Sequence, residues 1–108
     1  MRIDDSAQDD LVNAADYYNS LTPGSGDRLL LSVDQLIGEI VAFPDAGLLI
    51  RRGLRQRLVP HFPYLVLYTT DPADRIVIAV AHTSRRAGYR FERWEVREPE
   101  VTYLALAA

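Results

Sequence analysis

Residues 61–68 read HFPYLVLY and residues 75–82 read RIVIAVAH. From Tyr64 to Thr70 the first stretch is rich in strand formers and contains no breaker. The second is a nearly continuous apolar run, the pattern of a central strand buried on both faces. Only DPAD, residues 71–74, lies between them, and it reads as a four-residue turn. Two strands joined so tightly run antiparallel. Just upstream, Leu54, Gln56 and Leu58 alternate with Arg55, Arg57 and Val59, so a further strand over 54–59 is expected to pair with 64–70.

Towards the N-terminus the apolar period changes from 2 to 3.6. Leu29, Val33, Leu36, Ile37, Ile40 and Val41 form a wide helical stripe. Gly38 lies inside it, at a cost of about 1 kcal/mol relative to alanine, and is expected to allow close packing on a neighbouring helix. FPDAG, 43–47, stops this helix, because Pro44 disfavours helical backbone at Phe43. An earlier helix starts at SAQDD, with Ser6 as cap, Asp9 three residues on and Asp10 near the positive helix end. Leu11, Ala15 and Tyr18 make one of its faces, and its end is expected near Asn19 or Ser20. LTPGSG breaks the chain there. The second helix begins either at Thr22–Pro23 or, given Gly24 and Gly26, nearer Ser25. The expected fold class is α+β, with an N-terminal helical hairpin packed on a small antiparallel β-sheet.

The length of 108 residues is that of a single domain, 1–108. There is no cysteine, which removes disulfides and cysteine-based metal sites, and two histidines alone make a poor zinc site. No metal or cofactor is expected. The opening MRIDDSAQDD is acidic and polar where a signal peptide would be apolar. No apolar run approaches the ~20 residues of a membrane span, so a cytoplasmic location is expected.

The net charge of -3 conceals two unlike halves. Residues 1–50 carry nine acids against two arginines, whereas residues 51–97 carry ten arginines against four acids. The second half therefore suggests a basic face, unless the two halves pair with each other. Every basic residue is arginine, a planar fork suited to carboxylate or phosphate, and no lysine is present to serve as a base.

The candidate site collects at strand ends. Arg55 and Arg57 project from the face opposite Leu54 and Leu58. His82 closes the last strand, and Arg85, Arg86, Tyr89 and Arg90 follow it directly. Such a group suits phosphates, acidic peptide segments or stacked bases. Plainer roles exist for each: solvated strand arginines, a histidine satisfying a carbonyl, and core rings at Tyr64 and Tyr68. His61 reads as an exposed loop residue, and the first helix's Asp5, Asp9, Asp10 and Asp16 as a solvated face. No glycine-rich phosphate loop and no GxSxG motif is present.

Taken in order, several pieces resemble the ParE/RelE superfamily of toxins from bacterial type II toxin–antitoxin systems, and most of all the ParE-like, plasmid-stabilisation branch. They are Ala7, Asp10, Leu11, Ala15, Tyr17 and Tyr18 of the opening; Pro44 and Gly47 after the second helix; residues 54–68; and residues 76–90. The resemblance is strongest over 6–91 and leaves 92–108 as an unassigned tail. Two departures stand out. The strand that usually precedes the first helix is short or absent here, and Arg90 stands where the branch often has tryptophan.

The resemblance implies a toxin neutralised by a cognate antitoxin in a hetero-oligomer, with no membrane association and no direct DNA binding by the toxin alone. It implies Arg55, Arg57, Arg85, Arg86, Tyr89 and Arg90 as the antitoxin- and target-binding set. ParE-like members are associated with inhibition of DNA gyrase by protein–protein binding. RelE-like members instead cut mRNA on the ribosome, which needs a base, an acid and cations on the phosphate. Were the chain such an endoribonuclease, His82 would serve as base or acid, Arg55, Arg57 and Arg85 would hold the phosphate, and Tyr89 would stand nearby.

Overall fold

The structure is a computed structural model that describes residues 1–84. Strand β1 (Arg2–Ile3) leads into helix α1 (Asp5–Leu21) and helix α2 (Ser25–Ala42). A single 3₁₀ turn at Pro44–Ala46 then precedes β2 (Leu48–Arg51), β3 (Leu54–Leu58), β4 (Tyr64–Thr69) and β5 (Ile76–His82). The five strands form one sheet in the order β1-β5-β4-β3-β2. The strands from β2 to β5 run antiparallel, as the short turns require, and β1 adds a parallel edge beside β5. The two helices followed by a sheet are those expected; the sheet is mixed, and larger by two short strands.

Alternation sorts the side chains onto two faces. On one, Ala7, Leu11 and Ala14 of α1 and Leu29, Val33, Leu36 and Ile40 of α2 pack on Val59, Val66, Tyr68, Val77 and Val80. On the other lie Leu54, Leu67, Ile76, Ile78, Ala79 and Ala81, a cluster that includes no residue of either helix. β5 is therefore buried on both sides, as its unbroken apolar run requires.

Several local readings are corrected. Helix α1 starts before Ser6, with Asp4 in the capping position. The Ser6 hydroxyl donates to the Asp4 carboxylate at 2.8 Å, so it braces the first turn without capping it. Gly38 does not face α1. A Cβ built there meets nothing within 4 Å, whereas one at Gly26 would run into the Ala15 carbonyl and the Asn19 side chain. The close approach of the two helices is thus at Gly26. Asn19 fixes the connection, its Oδ1 accepting from the amides of Gly24 at 3.1 Å and Gly26 at 2.8 Å.

Strand β2 escaped the periodic reading because Leu48, Leu49 and Ile50 do not alternate, and β2 is an edge on which Leu48 and Leu49 stay exposed. Its hairpin to β3 turns at Gly53, whose φ of +81° is left-handed backbone that glycine adopts freely. After β4, Thr69 organises the DPAD turn. Its hydroxyl donates to the Asp74 carbonyl at 2.8 Å and accepts from the Ile76 amide at 3.0 Å.

Candidate functional site

β4 begins at Tyr64, directly opposite His82 at the end of β5. The two rings meet edge to face with centroids 5.3 Å apart. Tyr18 of α1 packs edge-on against Tyr64 and Phe62, so rings from the helix and the strand ends form one aromatic group. The Ser84 amide donates to His82 Nδ1 at 3.1 Å, and the Ser84 hydroxyl lies 2.7 Å from the same nitrogen. An amide donor needs a lone pair, so in this arrangement Nδ1 is unprotonated and the neutral ring carries its proton on Nε2. To act as a base at Nε2, His82 would first have to give up this arrangement.

Between α1 and these strand ends lies a cleft of about 160 Å³. Helix α1 contributes Asp10, Asn13, Ala14 and Tyr17, and the sheet contributes Tyr64, Val80 and His82. Asp10 was expected on a solvated face and is not there. Its Oδ2 accepts from the Val80 amide at 2.9 Å. The reason is topological. β1 pairs with β5 only at Ile76 and Val77, so beyond that point α1 supplies an acceptor where strand pairing stops. The signal was present in the sequence: Asp10 sits between Ala7 and Ala14 on the buried stripe of α1. Asn13, Tyr17 and Tyr64 as cleft residues also went unread. Half-exposed aromatic and amide side chains carry no local signature that separates a cleft from ordinary surface.

Arg55 and Arg57 do lie on the face opposite Leu54, but that is the face carrying the helices. Arg55 pairs across the sheet with Tyr68, and Arg57 with Val66. Arg55 Nη1 donates to the Gly47 carbonyl at 2.8 Å. Arg57 Nη2 lies 3.1 Å from the Glu39 carboxylate of α2. Arg57 is two strands away from His82 and offset by two residues along them, roughly 12 Å by sheet geometry. These two arginines thus form a group of their own at the α2–β2 end, apart from His82. Arg85, Arg86, Tyr89 and Arg90 lie outside the described residues.

Behind Arg55 and Arg57 lies Tyr68, fully buried, its hydroxyl donating to the Pro44 carbonyl at 2.8 Å. Burial pushes its pKa above the ordinary 10.0; the Gly47 backbone and the charges of Arg55 and Arg57 oppose that rise, and Asp45 adds to it. Among the described residues no group of three or more His, Cys, Asp or Glu side chains is placed to hold a metal ion. No helix among them is long and apolar enough to cross a membrane.

A family model described as "ParE toxin of type II toxin-antitoxin system, parDE" matches residues 1–87. No curated protein sequence matches the chain. Among solved structures, a chain of the chromosomal ParDE toxin–antitoxin system from P. aeruginosa superposes with a TM-score of 0.65 at 16% identity. The alignment covers 75% of this chain and 91% of that one, a likeness of fold.

Proposed function

The chain belongs to the family of ParE toxins of type II toxin–antitoxin systems, and from that membership we propose that a cognate antitoxin neutralises it and that it acts by binding DNA gyrase, without chemistry of its own. One observation carries the choice of binding over cleavage. Of the three arginines that an RNA-cutting site would place on the phosphate, Arg55 is held by the Gly47 carbonyl and Arg57 by Glu39, and both stand apart from His82; Arg85 lies outside the described residues. Phosphoryl chemistry needs a base and cations converging on one phosphate. Lysine, which would supply another cation or a base, is absent from the sequence.

On this reading the arginines that follow β5, Arg85, Arg86 and Arg90, with Tyr89, belong to the surface used by antitoxin and target. Arg55 and Arg57 shape the adjoining surface and contribute less. The test is a supercoiling assay with DNA gyrase and relaxed plasmid, following trapped cleavage on the same gel. Inhibition that the antitoxin reverses is the expected result. A well-folded protein that leaves gyrase untouched but cuts ribosome-bound mRNA, and loses that activity with His82→Ala or Tyr89→Phe, would replace this reading by the endoribonuclease one.

A further inference from the structure

The cleft between α1 and the strand ends has a lining of one chemical kind. Asp10, Asn13 and Tyr17 fall at i, i+3 and i+7, one face of α1, and Tyr64 and His82 stand across from them on the sheet. Among these residues Asp10 alone carries a fixed charge, and His82 in its arrangement with Ser84 is a neutral ring. Asp10 is half-buried, and the Val80 amide donates to its Oδ2 at 2.9 Å, so the charge is held in place. A carboxylate accepts about four hydrogen bonds, and the Asn13 amide and the Tyr17 phenol add neutral acceptors. Tyr17 is 58% exposed, an aromatic ring that solvent and a ligand can both reach.

We propose that this cleft is a pocket for a guanidinium group, the head of an arginine side chain presented by the target protein. The inference rests on the binding reading above and adds a site and a chemistry to it. A cation fits because the lining joins a fixed carboxylate to aromatic rings, whose faces carry partial negative charge. The same carboxylate would repel a phosphate or an acidic segment, and one carboxylate offers too few ligands for a metal ion. Of the two cationic heads, guanidinium fits better than ammonium. It is planar and weakly hydrated and carries five donors, so it can lie against a ring while bonding the carboxylate and the Asn13 carbonyl. The size agrees. At about 30 Å³ per water, a cleft of about 160 Å³ holds about five waters, the room of a guanidinium with part of its stem. This chain's own Arg85 and Arg86 follow His82 closely enough in sequence to compete for it, and the test separates the two sources.

The probe is N-acetyl-arginine amide, titrated into the isotope-labelled full chain while NMR follows the Val80 and His82 amides; the uncharged citrulline analogue is the control. Saturable shifts of these amides are expected with a dissociation constant in the millimolar range, and none with citrulline. Asp10→Asn, whose side-chain carbonyl can still accept from the Val80 amide, and Tyr17→Ala each weaken the probe by roughly tenfold, whereas Asp9→Asn binds it like wild type. In the supercoiling assay the same two variants raise the concentration that inhibits gyrase by a similar factor. If citrulline binds as well as arginine, or if neither shifts these amides in wild type or in the variant Arg85→Gln, Arg86→Gln, the pocket is wrong and the gyrase reading stands on its own assay. If the arginine probe binds only that double variant, the chain fills its own pocket and the proposal is overturned. If the probe behaves as expected but Asp10→Asn and Tyr17→Ala inhibit gyrase like wild type, the target does not use the pocket and the proposal falls. If the probe binds and the folded wild type leaves gyrase untouched, the reading beneath the proposal fails and the target assignment falls with it.

Discussion

Gly47 and Tyr68 come from motifs twenty residues apart, and the fold couples them tightly enough to measure. A Cβ on Gly47 would land on the Tyr68 hydroxyl, with the Gln56 carbonyl at 3.0 Å and Tyr68 Cζ at 3.1 Å next. The backbone of Gly47 is ordinary, φ -74° and ψ 158°, so alanine meets no conformational penalty and space alone decides. Tyr68 is fully buried, so its ring has little room to swing aside. In Gly47→Ala the hydroxyl gives up the Pro44 carbonyl, worth about 1 kcal/mol, and the 3₁₀ turn shifts at an overpacking cost of about 1–3 kcal/mol. The expected loss is about 2–4 kcal/mol. Tyr68→Phe alone removes one hydrogen bond and leaves the Pro44 carbonyl underused, about 1–2 kcal/mol. In the Phe background the closest clash is gone, so adding Gly47→Ala costs only about 1 kcal/mol and the double-mutant cycle shows a coupling of roughly 1–3 kcal/mol. Urea denaturation of the four proteins, followed by circular dichroism at constant m-value, measures it. Additivity within about 0.5 kcal/mol would refute the contact as the reason for glycine at this position.

Asp10→Ala leaves the Val80 amide without its acceptor and is expected to cost about 1–3 kcal/mol, with Asp10→Asn intermediate and Asp9→Ala within about 0.5 kcal/mol of wild type, all read from urea midpoints. Asn19→Ala releases the Gly24 and Gly26 amides together, and thermal melts should show a loss of about 1–2 kcal/mol. Alkaline pH should destabilise through Tyr68. Its folded pKa lies above the ordinary 10.0, so its contribution is complete below that pH and is lost as pH rises past it, when the unfolded chain ionises first. Tyr68→Phe should flatten the fall in urea midpoint above pH 10. Glu39→Gln should change stability by less than about 0.5 kcal/mol, because its pair with Arg57 is largely solvated on the carboxylate side; a larger loss would make that pair a structural anchor.

The elements with a clean period were legible, and those held by accounting for backbone groups were not. α2, β4 and β5 announce themselves because one face, or both, is apolar without interruption. β1 and β2 are edges, and an edge strand need not alternate, since one or both of its faces meet water. The N-terminus of α1 was misplaced because Ser6 and Asp4 are both capping residues, and only the backbone geometry chooses between them. Gly38 and Gly26 show the same limit. Both lie where glycine can ease helix packing, and only the crossing geometry assigns that role to Gly26.

The site was harder to read for a related reason. The type of a side chain tells what it binds, not whether the partner lies in its own chain. The alternation in β3 rightly put Arg55 and Arg57 on one face, yet it cannot say that α2 and the turn after it leave Glu39 and the Gly47 carbonyl on that same face. A free carbonyl at a tight turn needs a donor, and the nearest fork supplies it. Asp10 follows the same logic at the other end of the sheet, where strand pairing stops short and a carboxylate takes over. The converse holds for apolar groups. Val41 belongs to the α2 stripe that the period alone would bury, and the structure leaves it half-exposed. Polar residues drawn inward by unmet backbone groups, and apolar residues left outward with none to cover them, point to the same division. The arginines of β3 are tied into the fold, and apolar side chains of α2, β2 and β3 are among those left exposed in the described residues.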